Sequence, residues 1–95
     1  MPAYIVATVR ITDPERFADY GRGIAGLSEK YGGESVVRGP VTEILDGDEP
    51  LGERVVVTRF PDADAARGYI ASPEYRDAAA RRVGAAIVTM RLLEG

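Results

Sequence analysis

From residue 3 to residue 11 the chain alternates, with Ile5, Ala7, Val9 and Ile11 in one register and Tyr4, Val6, Thr8 and Arg10 in the other. A period of two sends successive side chains to opposite faces of a strand, so this segment predicts a strand with one buried face. The pattern then changes. Asp13-Pro14-Glu15 supplies a capping carboxylate, a first-turn proline that needs no N–H, and an acidic side chain where the helix dipole favours one. Phe17, Tyr20, Ile24, Leu27 and Tyr31 follow at three- and four-residue spacing, which predicts an amphipathic helix ending at Gly32-Gly33. Gly21, Gly23 and Gly26 weaken that helix by about 1 kcal/mol each relative to alanine, so either packing holds it or its backbone approaches the sheet or a ligand closely.

Residues 34–46 predict a long second strand interrupted at Gly39-Pro40. Proline gives a ladder no hydrogen, so a bulge or kink on an edge strand is expected there. The polar run Asp46-Gly47-Asp48-Glu49-Pro50-Leu51-Gly52 joins it to a valine-rich strand over residues 54–60, and the two should form a hairpin. A helix begins at Pro61-Asp62 and runs through Ala66, Tyr69 and Ile70. It breaks at Ala71-Ser72-Pro73-Glu74-Tyr75-Arg76, where Ser72 can cap and Pro73 fits a first helical turn. A further helical segment carries Tyr75, Ala78, Ala79, Arg82 and Val83, Gly84 ends it, and residues 86–93 predict the last strand.

The order strand, helix, strand, strand, helix, strand, with right-handed crossovers, predicts an α+β ferredoxin-like βαββαβ protomer: a four-stranded antiparallel sheet with both helices on one face. Ile5, Ala7, Val9, Val56, Phe60, Val88, Met90 and Leu92 fall on the helix side. Tyr4, Val6, Thr8, Arg10, Val55, Val57, Arg59, Ile87, Thr89 and Arg91 fall opposite. That second face is too apolar to leave bare and too rich in arginine to be an ordinary core, so a second copy of the chain is expected to cover it.

Composition removes more chemistry than it supports. The 95 residues make one domain with a modest core, and they include no cysteine and no histidine. Disulfides, thiolate nucleophiles, Cys-type zinc sites, imidazole metal ligands and Ser-His pairs are all excluded. A net charge of −3 argues against a nucleic-acid partner, since phosphate binding draws on basic patches. The start, Met1-Pro2-Ala3-Tyr4, runs straight into a strand, and no stretch approaches the ~20 apolar residues of a membrane span, so a cytoplasmic protein without a membrane partner is expected. The eleven arginines against the single lysine Lys30, with abundant alanine and glycine, fit a codon bias rather than a function.

Taken in order, Met1-Pro2-Ala3-Tyr4, Asp13-Pro14 with Tyr20, Tyr31-Gly32-Gly33, Arg38-Gly39-Pro40, residues 43–47, Phe60-Pro61 and Ser72-Pro73-Glu74-Tyr75 resemble the domain-of-unknown-function family numbered 1330, essentially end to end. Each motif is short; their order and spacing carry the resemblance. It implies the dimeric α/β-barrel superfamily, in which two ferredoxin-like sheets close into a barrel with the helices outside. Members of that superfamily include cofactor-independent monooxygenases, haem-degrading enzymes, muconolactone isomerases and stress-related proteins, so the fold does not name an activity. Histidines used by several of those enzymes are missing here, and their chemistry does not carry over.

The candidate ligand-binding residues are Tyr20, Arg38, Tyr75 and Arg82. Tyr20, Tyr31, Tyr69 and Tyr75 lie on or near the inner helix stripes, where rings fill space and hydroxyls need partners. Tyr20 and Tyr75 stand on two helices facing one sheet, so their hydroxyls could orient a ligand; plain core packing is the competing reading. For acid–base work a tyrosine needs its pKa lowered by ~3 units, which calls for a neighbouring arginine such as Arg38 or Arg82. Arg38 and Glu43 flank the Gly39-Pro40 kink, which either re-aims side chains into a pocket or bends an edge strand into a barrel; an intersubunit Arg38 to Glu43 ion pair is open. Arg10, Arg59 and Arg91 must meet carboxylates, solvent or an anion. Asp46, Asp48 and Glu49 lack the spacing of a calcium loop, no metal site or cofactor is expected, and the third strand lacks the aromatics of the RNA-binding relative of this topology. Three functions remain: a binding protein for a small aromatic or carboxylated molecule, a cofactor-independent oxygenase or isomerase, and an interaction module whose dimer surface is its purpose.

Overall fold

The computed structural model describes all of residues 1–95. β1 (Ala3–Ile11) is followed by α1 (Pro14–Ile24), a 3-10 turn (Ser28–Tyr31), β2 (Glu34–Pro40), β3 (Arg54–Phe60), α2 (Ala63–Ala71), α3 (Pro73–Ala80) and β4 (Ala86–Glu94). The strands form one antiparallel sheet in the order β2-β3-β1-β4, with β1 central between β3 and β4. This is the expected ferredoxin-like arrangement.

The face assignment from alternation holds. Ala3, Ile5, Ala7 and Val9 are buried, and their cross-strand partners on β3 are Phe60, Thr58, Val56 and Arg54. Ile5, Ala7 and Val9 meet Leu92, Met90 and Val88 on β4. The helices cover this side, where Ile5, Tyr20, Leu27, Phe60, Ala66, Tyr69, Tyr75 and Ala78 make the core. Three ring pairs link its aromatics, Tyr69 with Phe60 and with Tyr75 at centroid distances of 5.7 and 5.0 Å and Tyr20 with Tyr75 at 6.2 Å, and the half-buried Phe17 and Tyr31 pack onto Tyr20 and Tyr69.

Local chemistry explains the helix ends. The Asp13 carboxylate accepts from Arg16 N–H and the Asp62 carboxylate from Ala65 N–H. Ser72 serves two helices at once: its hydroxyl donates to the Tyr69 carbonyl at the end of α2 and accepts from Tyr75 N–H at the start of α3, at 2.8 and 3.1 Å. It is 5% exposed, the one buried polar residue of the chain, and both its hydrogen-bonding roles are met.

Three expectations are corrected. The first helix is shorter than residues 14–31: α1 stops at Ile24, and Ser28 to Tyr31 form a separate 3-10 turn. The second strand ends at Pro40 rather than residue 46. Beyond Pro40 there is little to pair with, because β3 begins at Arg54; only the Val41 N–H to Glu53 carbonyl bond continues the ribbon, at 2.8 Å. The irregularity also sits elsewhere. Pairing passes through Gly39 and Pro40 undisturbed, and the register shift falls between Ser35 and Val37, making Val36 the bulged residue.

Two glycines are required by close approach. A Cβ on Gly33 would lie 2.8 Å from the Ser28 carbonyl oxygen and 3.0 Å from Phe60, so the turn into β2 admits no side chain. A Cβ on Gly23 would stand 2.9 Å from the Ala78 Cβ. The backbone of α1 therefore approaches α3 closely, rather than the sheet, and this leaves space between α1 and the sheet.

Candidate functional site

That space is a cavity of about 820 Å³. Its floor is the helix side of the sheet, with Ile5, Ala7, Val9, Val56, Val88 and Met90, and its roof is Phe17, Tyr20, Gly21 and Ile24 of α1. The 3-10 turn closes one end with Ser28 and Glu29, while Arg38 and Arg54 come from the β2–β3 ribbon. The volume is in the usual range for a small-molecule site, and the lining is about half hydrophobic, with seven polar or charged residues, more polar than is usual for such sites.

Of the four candidate residues, Tyr20 and Arg38 line this cavity. Tyr75 and Arg82 do not; they stand behind Tyr20 and support it. The Tyr20 and Tyr75 hydroxyls are hydrogen-bonded at 3.0 Å, and the Tyr75 hydroxyl also donates to Met90 Sδ at 3.4 Å. The Tyr20 and Tyr75 rings meet edge to face at 6.2 Å. The Arg82 guanidinium carbon lies 5.0 Å from the Tyr20 ring centroid, a cation–π contact. Arg82 Nε is buried with no hydrogen-bond partner.

Electrostatics run against an acid–base role for Tyr20. Burial raises its pKa well above the ordinary tyrosine value, the hydrogen bond and proximity of Tyr75 raise it further, and Arg82 opposes this only weakly. Burial likewise pushes Tyr69 up to about 12. An arginine is beside Tyr20, as the sequence led one to expect, yet desolvation outweighs it. The hydroxyl is a fixed neutral group that can orient a ligand or hold the wall.

Sequence reasoning missed Arg54, Thr58 and Glu29. For Arg54 and Thr58 a signal existed. Period two along β3 puts them on the face already assigned to Val56 and Phe60. Glu29 had none, because the separate turn that carries it was read as helix.

Glu34, at the start of β2, also lines the cavity; the remaining charged groups lie apart from it. Arg10 donates to the Leu51 carbonyl at 3.4 Å, and none of Arg10, Arg59 or Arg91 is within 4.0 Å of a carboxylate. Arg38 and Glu43 form no ion pair within the chain. No group of three or more Asp or Glu side chains is placed to hold a metal ion, and no helix is long and apolar enough to cross a membrane.

The model of the domain-of-unknown-function family DUF1330 matches residues 2–95. No curated protein matches the chain. Among solved structures, a protein of unknown function from Rhodopseudomonas palustris is 28% identical with a TM-score of 0.77, covering 99% of this chain and 82% of that one. A dimeric ferredoxin-like protein of unknown function from Jannaschia is 17% identical, TM-score 0.75, with both chains covered in full. SnoaB, a cofactor-independent oxygenase from Streptomyces nogalater, is 17% identical, TM-score 0.69, covering 99% of this chain and 92% of that one. The last two likenesses show a shared fold.

Proposed function

The chain belongs to the DUF1330 family, and on that premise we propose that it is a homodimeric binding protein for a small aromatic or carboxylated molecule, held between helices and sheet. One observation carries this reading: the 820 Å³ cavity that brings Tyr20 and Arg38 to one aliphatic-floored space. Tyr75 and Arg82 belong to the site as supports, fixing the orientation of the Tyr20 ring and hydroxyl.

The outer sheet face supports the pairing. Val6 and Val57 are cross-strand partners at its centre, and Val37, Ile87 and Leu93 are 59, 65 and 54% exposed. Soluble monomers rarely leave so continuous an apolar surface bare, and a second copy placed sheet to sheet would cover it. The dimeric ferredoxin-like protein from Jannaschia, with the same fold, is consistent with this. Since the cavity lies on the opposite side of the sheet, pairing leaves it open. The reading takes the protein to act in the cytoplasm; recovery of the tagged chain in a membrane or extracellular fraction contradicts that part.

The test uses two variants. Val56→Trp places an indole in the cavity floor and should abolish binding of aromatic carboxylates in calorimetry while leaving the dimer intact. Val57→Asp puts a carboxylate at the centre of the outer face and should give a folded monomer in sedimentation; a Val57→Asp dimer of unchanged affinity refutes the pairing.

A cofactor-independent oxygenase or isomerase is the second reading, favoured by the fold shared with SnoaB. It requires a base, and Tyr20 with its raised pKa is a poor one. Turnover of an activated phenol without added metal or flavin would establish it over simple binding.

A further inference from the structure

The strand pairing gives the cavity a direction, on the reading that it is a binding site. Ser35 pairs with Thr58 and Arg38 with Val56, so three steps along β2 match two along β3. On a regular strand residues 35 and 38 would point to opposite faces; the Val36 bulge puts both on the helix side. Arg54 pairs with Pro40 and with Val9, which places it on that same side one diagonal step from Arg38. Diagonal neighbours of this kind are about 7–8 Å apart, within reach of one another's long side chains. Neither guanidinium has a carboxylate within 4.0 Å, since the chain's ion pairs are Arg22–Asp19, Arg67–Asp64 and Arg81–Asp77. Two unpaired cations thus share one end of the cavity of a chain whose net charge is −3.

The other end is of opposite character. Thr58 lies four residues from Arg54 along β3, roughly 13 Å at a strand's rise. Beside Thr58 are Ser35, the adjoining Glu34 at the start of β2 and, from the 3-10 turn, Ser28 and Glu29. These groups present oxygens, and Glu29 would repel an anion while accepting a hydrogen bond from a hydroxyl. Between the two ends lies the aliphatic floor.

We propose that the cavity binds hydroxylated carboxylates in one orientation, with the carboxylate held jointly by Arg38 and Arg54 and the distal hydroxyl donated to the Glu29, Ser35 and Thr58 end. Guanidinium pairs suit planar oxyanions because each offers parallel N–H donors, and such charge-assisted bonds are about twice as strong as neutral ones.

Calorimetry with 4-hydroxycinnamate and its alcohol, 4-hydroxycinnamyl alcohol, tests this. The acid should bind about tenfold more tightly than the alcohol, and Arg38→Gln and Arg54→Gln should each remove most of that difference while leaving the alcohol's affinity unchanged. Both side chains are exposed, Arg38 on the edge strand β2 and Arg54 at the first residue of β3, and unchanged circular dichroism checks their folding. Arg67→Gln, on α2 away from the cavity, should behave as the parent. Equal binding of acid and alcohol, both lost in Val56→Trp, overturns the proposal and leaves the binding site standing. Failure of both compounds to bind the parent protein at millimolar concentration overturns the proposal and the binding-site reading together. Loss of alcohol and acid alike in Arg54→Gln also overturns it, since the arginine would then be shaping the cavity rather than reading charge.

Discussion

Replacing Tyr75 by Phe should cost more stability than replacing Tyr20, although the two hydroxyls share one hydrogen bond. The Tyr75 hydroxyl donates to Met90 Sδ, so in the 3.0 Å contact it accepts, and Tyr20 is the donor. In Tyr20→Phe, Tyr75 keeps its sulfur acceptor and the loss is one buried neutral hydrogen bond, about 1 kcal/mol. In Tyr75→Phe, the Tyr20 hydroxyl, on a residue 5% exposed, is left with no acceptor. A stranded buried donor costs about 1–3 kcal/mol, so a loss near 2 kcal/mol is expected. The double variant removes donor and acceptor together. Its cost should fall short of the sum of the single costs by about 1 kcal/mol, the coupling of groups in direct contact. Urea unfolding at fixed protein concentration reads this, since a dimer's stability depends on concentration and equal slopes show that only stability changed. Strictly additive losses, or a Tyr20→Phe loss equal to or above that of Tyr75→Phe, refute the donor–acceptor order.

Stability should be flat from neutral pH to about pH 10 and fall above it. Unfolded tyrosines release protons near 10, whereas burial keeps the Tyr69 proton on to about 12 and that of Tyr20 higher still, so the unfolded state gains as pH rises through this window. Tyr69 should account for about 1–2 kcal/mol of the loss between pH 10 and 12 after allowing for water at its edge, and Tyr69→Phe should flatten the profile there. Gly21→Ala should stabilise α1 by about 0.5–1 kcal/mol, because its Cβ meets nothing within 4 Å, while Gly23→Ala should destabilise because its Cβ would meet Ala78 at 2.9 Å. Ser72→Ala should cost about 1–2 kcal/mol in thermal or urea unfolding, since one hydroxyl serves both α2 and α3; a neutral substitution would show that Pro73 alone sets the break.

The elements read best in advance were those whose signal is local. Alternation over β1 and β4 fixed which side chains face the helices, and the caps at Asp13, Asp62 and Ser72 lie where short polar side chains precede helical periodicity. The end of β2 was not local information. Val41 to Leu45 read as strand by composition, but a strand needs a partner, and β3 starts only at Arg54. The bulge at Val36 was hidden for the same reason: nothing in Ser35-Val36-Val37 marks a slip, which exists only as a mismatch against Thr58, Val57 and Val56. The helix stripe carries Tyr20, and the Val36 bulge carries Arg38, to the cavity wall. Tyr75 and Arg82 stand one layer behind Tyr20, because a helical stripe says which way a ring points and not what stands in front of it.

Binding at the cavity between α1 and the sheet is the central claim, and native mass spectrometry of the protein with millimolar 4-hydroxycinnamate tests it most directly. The account predicts a dimer carrying up to two molecules of the acid, with none retained by Val56→Trp at the same dimer mass. A dimer that stays empty, or one in which Val56→Trp retains the acid as well as the parent does, contradicts it.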